Sequence, residues 1–202
     1  MERVKSRRAQ YAEMTRAAVL EGARALFAER GFEGTSVDDI AQASQVSKGA
    51  VYHHFADKRE VFAQLFGDAQ EEAMAAVVAA ADAVDSDWER ALTASRTFLR
   101  CYVKDEQARA IVRQAPTVLD HDRICQIDEK AALPFIRDTL HRLDAAGLLH
   151  AVPIAPTARI FRSILVEATL QIAESDDPAE AYEQADTVIV ALVSGLLRPP
   201  TQ

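Results

Sequence analysis

Apolar residues recur at intervals of three and four along almost the whole chain. This is the period of an α-helix that buries one face. The first such segment is 14–30, and Gly31, which can end a helix in a left-handed conformation, follows it. No segment after residue 60 alternates between apolar and polar residues as a half-buried strand would. The sequence therefore predicts an all-α fold of about nine helices.

Two short helices joined by a tight turn are predicted between residues 35 and 55. Thr35 or Ser36 can cap the first helix, and Ser47 can cap the second, because a hydroxyl oxygen accepts hydrogen bonds from the first helical N–H groups. About three residues join the two helices, a length typical of a helix-turn-helix, whose second helix enters the major groove of DNA. We call this second helix the recognition helix.

The recognition helix has one apolar side. Val51 and Phe55 are four residues apart and are expected to face inward. The opposite side carries Lys48, Gly49, Tyr52 and His53. Lys48 can contact a phosphate or a guanine edge, Gly49 lets the backbone approach the duplex closely, and Tyr52 can donate to a phosphate. These are the residue types that DNA contacts require.

A long helix is predicted to begin at Lys58 and to continue past residue 80 without a Gly-, Ser- or Pro-rich linker. Asp57 can cap it, with the Glu60 side chain reaching back to the backbone of the cap. At 1.5 Å per residue this helix is about 35–40 Å long. We expect two domains that share it: 1–57, with a basic arm over residues 1–12, and 58–202.

The run from residue 36 to residue 62, SVDDIAQASQVSKGAVYHHFADKREVF, resembles the DNA-binding signature of the TetR family of transcriptional repressors. The preceding segment ALFAERGFEGTSV fits the same family. In that family the positions matching Tyr52, His53 and Lys58 commonly touch the DNA backbone. One departure is Gln45, where the family usually has glycine; a left-handed residue other than glycine costs on the order of 1 kcal/mol. The predicted DNA contacts are Thr35, Ser36, Ser47, Lys48, Gly49, Tyr52, His53 and Lys58.

Several further helices are expected in the larger domain. Ser86 can cap one, Pro116 is expected to end another, and Pro134 is expected to kink or break a third, because proline removes a backbone donor. The predicted ranges of the last four are 106–114, 121–146, 157–174 and 179–198.

The last two of these helices are apolar on more than one side, which indicates a second packing partner. A two-fold homodimer supplies one, although both helices could instead belong to the core of a single subunit. In the TetR family the last two long helices form a four-helix dimer interface. The residues predicted for the interface are Phe161, Leu165, Ile172, Val188, Leu192 and Leu196.

Helical bundles build pockets between their helices, and such pockets are mostly apolar with a few polar groups. The resemblance implies a small-molecule effector without naming it. An ordinary core filled by the same aromatic residues is the alternative. The residues predicted to line the pocket are Phe98, Tyr102, His121, Cys125, Phe135 and Phe161, with Trp88 nearer its edge.

The net charge of −8 is unevenly distributed. Residues 1–60 hold ten Lys and Arg against nine Asp and Glu, while residues 61–202 hold 13 against 22. DNA affinity depends on where cations meet phosphates rather than on the total charge. Residues 1–8 lack the apolar run of a secretory signal, and no run of about 18 uncharged apolar residues predicts a membrane span. With two cysteines expected to be reduced, we predict a cytoplasmic protein.

The motifs of nucleotide, P-loop and zinc sites are absent from the sequence, so no cofactor, metal or enzymatic activity is expected. We predict a homodimeric repressor that a small, largely apolar effector releases from a palindromic operator. Two alternatives remain. His121 and Cys125, four apart on one helix face, could be half of a metal or redox site in an enzyme or sensor. The chain could also be an architectural DNA-binding protein without an effector.

Overall fold

The computed structural model describes residues 7–198. Within this range it contains nine α-helices, as the sequence predicts, and none is long and apolar enough to cross a membrane. The helices are α1 Arg7–Arg30, α2 Val37–Ala43, α3 Lys48–His54, α4 Lys58–Ala81, α5 Asp87–Lys104, α6 Glu106–Val118, α7 His121–Ala145, α8 Ile154–Glu174 and α9 Pro178–Leu196.

The first helix begins earlier than predicted. α1 starts at Arg7, so residues 7–12 are helical and the expected arm over residues 1–12 is wrong for this half. Arg, Ala and Gln, which fill most of this segment, are all good helix formers, and it contains no glycine or proline to stop the helix. The remainder of the predicted arm, residues 1–6, lies outside the described residues.

Three phenylalanine rings join α1 to α4. The centroids of Phe27, Phe32 and Phe62 lie 5.5–5.6 Å from one another, within the range of favourable aromatic pairs. Phe27 and Phe62 are fully buried. Nearby, a Cβ on Gly22 of α1 would come within 2.6 Å of the Ser44 hydroxyl oxygen, so α1 passes close to the turn between α2 and α3. These contacts join α1 to α4 and place α2 and α3 against α1.

Two prolines fail to end or break their helices. α6 runs through Pro116 to Val118, and α7 is one helix through Pro134. One missing hydrogen bond and a ring clash cost about 3 kcal/mol in a helix interior. Burial of the flanking residues offsets this cost, since Leu133, Ile136 and Val118 are all less than 9% exposed.

α4 is a continuous helix of 24 residues, and it buries ten of them. It packs against α1 at one end and against α5 and α7 along its length. α8 begins at Ile154, a few residues before its predicted start at 157. α9 begins at Pro178, directly before its predicted start at 179. After α9 the chain pairs with the segment that follows α7 through a single antiparallel bridge, Leu149 to Leu197. This bridge is the only β pairing within residues 7–198.

Candidate functional site

The helix-turn-helix geometry is present in the region where the sequence predicts it. α2 and α3 are connected by residues 44–47, and Gln45 takes the left-handed conformation with φ of 55°. Its backbone N–H donates to the Gln42 carbonyl, and the Val46 N–H donates to the Ala41 carbonyl at 3.0 Å. These two bonds close the turn, and Gln45 adopts the left-handed conformation that glycine favours, so the turn forms without glycine.

The recognition helix α3 presents the predicted faces. Val51 and Phe55 are 2% and 4% exposed and pack into the core, as predicted. On the other side Tyr52 is 50% exposed, and Lys48, Gly49 and His53 are exposed as well. The outward side of α3 therefore offers a cation, a phenol and an imidazole on one short helix.

The Lys48 ammonium contacts the Asp38 carboxylate of α2 at 2.9 Å. This hydrogen bond and the charge of Asp38 raise the pKa of Lys48 above its ordinary value. Both side chains are more than half exposed, and such pairs contribute little to stability. A phosphate that binds Lys48 must therefore displace the Asp38 carboxylate, which binds Lys48 only weakly.

The three predicted hydroxyl contacts differ in their positions. Ser36 and Ser47 cap α2 and α3 by accepting from Asp39 N and Ala50 N, and both residues are exposed. Thr35, in contrast, is 1% exposed, and its hydroxyl donates to the Gly31 carbonyl at 2.8 Å. Thr35 as a side-chain DNA contact is therefore wrong, because its hydroxyl is buried and already bonded to the backbone.

Lys58 has a structural role that the sequence did not reveal. Its ammonium donates to the carbonyls of Phe32 and Thr35 at 2.6 and 2.8 Å and lies 4.0 Å from the centre of the Phe32 ring. An ammonium has three donors, so one remains for a phosphate. Lys58 as a DNA contact stays a prediction. Its truncation would also release the loop that follows α1.

Asp57 caps α4 as predicted, since its carboxylate accepts from the Glu60 N–H at 2.8 Å. The Glu60 side chain does not reach back to the cap. It pairs with Arg123 of α7 at 3.1 Å. The predicted capping box is therefore half correct, because the second carboxylate finds a guanidinium on a neighbouring helix.

An apolar cavity lies between α4, α5, α7, α8 and the end of α9. Its walls are mainly aliphatic and aromatic, and five polar side chains also line it. The apolar part includes Met74, Val77, Phe98, Phe135, Ile136, Leu140, Leu143, Leu149, Phe161, Leu165, Val193 and Leu197.

Three of the seven residues predicted for the pocket line this cavity: Phe98, Phe135 and Phe161. The other four predictions are wrong. Tyr102 is fully buried behind Gln70 and Trp88 packs elsewhere against the core, so neither lines the cavity. His121 and Cys125 line a separate, open and more polar cleft between α7 and α8. Their position near the start of α7 places them outside the bundle.

The Cys125 sulfur lies 3.4 Å from His121 Nε2. Within residues 7–198 no group of three or more His, Cys, Asp or Glu side chains is arranged to hold a metal ion. The half site suggested by the sequence therefore gains no third ligand from the described part of the chain.

None of the five polar residues of the cavity wall was predicted from the sequence, and three of them lie together: Gln70, Asp128 and Arg162. Gln70 donates to an Asp128 oxygen at 3.0 Å, and the Arg162 guanidinium lies 3.5 Å from the other oxygen. Burial raises the pKa of Asp128 to about 6, although the Arg162 charge opposes the shift. A signal was available, because Gln70 interrupts the buried stripe formed by Phe66, Ala73 and Val77.

The residues predicted for a dimer interface fall into two groups. Val188 and Leu192 of α9 are 57% and 45% exposed, so they are available to a partner, and Ile160 of α8 is also exposed. Leu165 and Ile172 are buried inside the subunit, so their assignment to the interface is wrong. The two remaining predicted residues are partly buried and line the cavity: Phe161 and Leu196.

Two family models match the chain. One, described as bacterial regulatory proteins of the tetR family, matches residues 19–65. The other, described as a tetracyclin repressor-like C-terminal domain, matches residues 88–196, more than half of the chain.

Curated relatives match over only about a quarter of the chain. The chain is 47% identical over 51 residues to the HTH-type transcriptional repressor AcnR of Corynebacterium efficiens, which is 25% of this chain and 27% of that protein. It is 48% identical over 50 residues to the HTH-type transcriptional repressor KstR2 of Mycobacterium tuberculosis, 25% of each protein. These matches thus span about a quarter of each relative.

A solved structure resembles the whole chain. The TetR-family transcriptional regulator from Pectobacterium atrosepticum superposes with a TM-score of 0.81 at 27% identity, over 98% of this chain and 100% of that one. The arrangement of both the helix-turn-helix and the larger helical part is therefore shared.

The buried carboxyl group leads to a test of pH-dependent stability. Asp128 has a folded pKa of about 6 against an ordinary value of 3.8. Between these values the unfolded chain releases a proton that the folded chain retains, so Asp128 lowers the free energy of unfolding as the pH rises through this window. We expect Asp128→Asn to remove this loss, which is about 3 kcal/mol.

Urea unfolding of the wild type and of Asp128→Asn from pH 4 to pH 8 measures this loss. The free energy of unfolding of the wild type should fall relative to that of the variant as the pH rises through the window, and the difference should then level off. Asp176→Asn is the control, because Asp176 is exposed. A difference between the wild type and Asp128→Asn that is constant with pH would contradict the assignment.

Proposed function

The chain belongs to the TetR family of bacterial regulatory proteins, and we propose that it is a sequence-specific, DNA-binding transcriptional repressor. It acts as a homodimer on a palindromic operator, and a small, largely apolar effector releases it. The observation that carries the proposal is the outward face of α3, where exposed polar side chains surround a glycine that the fold itself does not need.

Gly49 has room for a side chain within the protein. A Cβ at this position would meet only the Ser47 hydroxyl oxygen, at 3.8 Å, which is an ordinary van der Waals distance. Glycine in a helix costs about 1 kcal/mol relative to alanine. A constraint from outside the subunit accounts for glycine here, and close approach of the α3 backbone to a duplex is such a constraint.

Dimerisation is supported by the surface of α9. Val188 and Leu192 are one helical turn apart and expose their apolar side chains. A two-fold axis at this surface lets the same patch cover itself on a second copy. Two recognition helices related in this way bind half-sites about one helical turn apart, so the operator is a palindrome.

Effector control is supported by the contacts that join the larger helical part to the DNA-binding part. The Gln114 side chain of α6 accepts from the Phe32 N–H at 2.7 Å and donates to the Phe27 carbonyl at 3.0 Å. Arg24 of α1 pairs with Asp105, the cap of α6, at 2.9 Å. α6 is thus bonded to both the middle and the end of α1.

A ligand that moves α6 or α4 also moves the support of the recognition helix. α4 provides a second connection, because it lines the cavity through Met74 and Val77 and contacts α1 through Phe62. The effector needs only a differential affinity for the two arrangements, and coupling of 1–3 kcal/mol is typical.

The first prediction concerns Gly49. We expect Gly49→Ala to leave the fold intact and to stabilise it slightly, by up to about 1 kcal/mol, since alanine favours a helix. The added methyl group should reduce operator affinity at least about tenfold by holding α3 away from the duplex. Thermal unfolding and DNA binding by fluorescence anisotropy measure the two effects.

Gly67→Ala is the matched control for this variant. Gly67 is also helical, and a Cβ there would meet Ile127 at an ordinary 3.8 Å, far along α4 from the recognition helix. It should gain similar stability and keep full DNA affinity. Unchanged DNA binding by Gly49→Ala would remove α3 from the interface.

The second prediction concerns the dimer. Leu192→Glu places a charge in the exposed apolar patch of α9, and we expect it to yield monomers at micromolar concentration because the charge must be desolvated in the interface. His141→Glu introduces the same charge at an exposed position of α7 and should remain dimeric. Sedimentation equilibrium distinguishes the two, and a dimeric Leu192→Glu variant would place the interface elsewhere.

The third prediction concerns the operator. Selection of random duplexes on the purified protein, at two salt concentrations, should recover a palindrome with half-site centres about 34–36 Å apart. Affinity should fall with salt because phosphate contacts release counterions. Recovery of no preferred sequence, with binding lost at moderate salt, would contradict a specific repressor and favour an architectural DNA-binding protein.

A further inference from the structure

We propose that the cavity selects an uncharged, apolar molecule carrying one oxygen acceptor, such as a ketone, and that the Arg162 guanidinium donates a hydrogen bond to that oxygen. The inference deepens the proposed function, because it names the chemical class of the effector and the residue that recognises it. It follows from the composition of the cavity wall, from one unpaired donor and from the local charge balance.

The cavity wall is apolar over most of its area and carries a few polar side chains. Most of its surface comes from aliphatic and aromatic side chains, so a ligand must be apolar over most of its length. Ser95 and Thr139 line the cavity but donate to the carbonyls of Ala91 and Phe135 in their own helices, at 3.0 and 2.9 Å. Their donors are therefore already used, which leaves recognition to the other polar residues of the wall.

Those other polar residues form a buried chain of hydrogen bonds. The Tyr102 hydroxyl donates to Gln70 Oε1 at 3.0 Å, and Gln70 Nε2 donates to Asp128 Oδ1 at 3.0 Å. Asp128 Oδ2 faces Arg162 Nη1 at 3.5 Å. Tyr102, Gln70 and Asp128 are each at most 5% exposed. The chain fixes the orientation of the Asp128 carboxylate and therefore the position of the guanidinium opposite it.

Arg162 Nε is the exception to this satisfied network. It is buried, and no acceptor within residues 7–198 lies within hydrogen-bonding distance. The Arg162 side chain is 12% exposed and lines the cavity. Because Nε is covered in the free protein, the guanidinium must shift toward the cavity before a ligand oxygen can accept this hydrogen bond. An unpaired buried donor costs about 1–3 kcal/mol, and the new hydrogen bond would recover that cost.

The charges around this donor favour a neutral ligand. The Arg162 cation faces the Asp128 anion, and Arg159, one turn earlier on α8, is paired with Glu129 at 2.8 Å. No net charge therefore remains to hold an ion. A carboxylate ligand would place a second anion beside Asp128, and an amine would place a second cation beside Arg162.

Arg162 also lines the open cleft between α7 and α8, together with Arg159 and Ser163. It therefore stands between the cavity and the surrounding water. A ligand whose oxygen meets Arg162 has its polar end toward the cleft and its apolar body within the bundle. This orientation keeps the oxygen near the more polar surroundings and leaves the apolar wall to the remaining atoms.

A panel of four ligands on one phenylalkyl frame tests the inference. Benzylacetone is the ketone, butylbenzene lacks the oxygen, phenylbutyrate carries a carboxylate and phenylbutylamine carries an ammonium. Binding to the full chain without DNA is measured by titration calorimetry at pH 7.5. We expect benzylacetone to bind at least about tenfold more tightly than each of the other three.

Two variants identify the recognising group. Asp128→Asn leaves the Arg162 charge uncompensated, and phenylbutyrate should then bind more tightly than benzylacetone. Arg162→Met combined with Asp128→Asn removes both charges together, so that no buried ion is left alone, and should reduce benzylacetone affinity to that of butylbenzene. Arg159→Met, a change of the same type on an exposed neighbour, should keep the wild-type order.

Three results would overturn the inference: wild type that prefers phenylbutyrate or phenylbutylamine, wild type that binds all four probes equally, or wild type that binds none. The proposed function is judged separately, by whether benzylacetone releases the protein from its operator. Ketone selectivity without release would contradict the effector role and leave recognition by Arg162 standing. Release by an anionic molecule, without selectivity for the ketone, would support effector control and contradict recognition by Arg162.

Discussion

The contact between the end of α1 and the start of α4 is the constraint on which the other parts of the structure depend. Phe27, Phe32 and Phe62 pack together there, and the Lys58 ammonium holds the carbonyls of the loop that follows α1. On one side this junction supports α2 and α3. On the other side Gln114 of α6 bonds to the same loop. A displacement of α1, α4 or α6 therefore displaces the other two helices, because packed aromatic rings do not deform gradually.

Much of the DNA-binding part could be predicted from the sequence because its determinants are local. Ser36, Ser47 and Asp57 cap the helices that follow them, and the four-residue spacing of Val51 and Phe55 sets the inward face of α3. In the larger part too, the helices lie where the three- and four-residue spacing of apolar residues predicts them. Prolines were a poorer guide, since the cost of one missing hydrogen bond was outweighed by burial of the neighbouring side chains.

The cavity could not be predicted because its polar wall depends on how distant helices pack. Gln70 and Asp128 are 58 residues apart in the chain, and Asp128 and Arg162 are 34 apart. Periodicity says that a residue faces the interior but not which residue it meets there. The same reason explains Thr35 and Lys58, whose side chains bond to backbone carbonyls that carry no signature in the sequence.

The position of the cavity in the chain has a consequence for synthesis. Its walls are drawn from Gln70 to Leu197, and the bridge between Leu149 and Leu197 lies at their end. The helix-turn-helix and the three phenylalanine rings that support it end at Phe62, about 135 residues earlier, and N-terminal units generally fold first on the ribosome. A nascent chain thus acquires its recognition helix well before it can enclose a ligand.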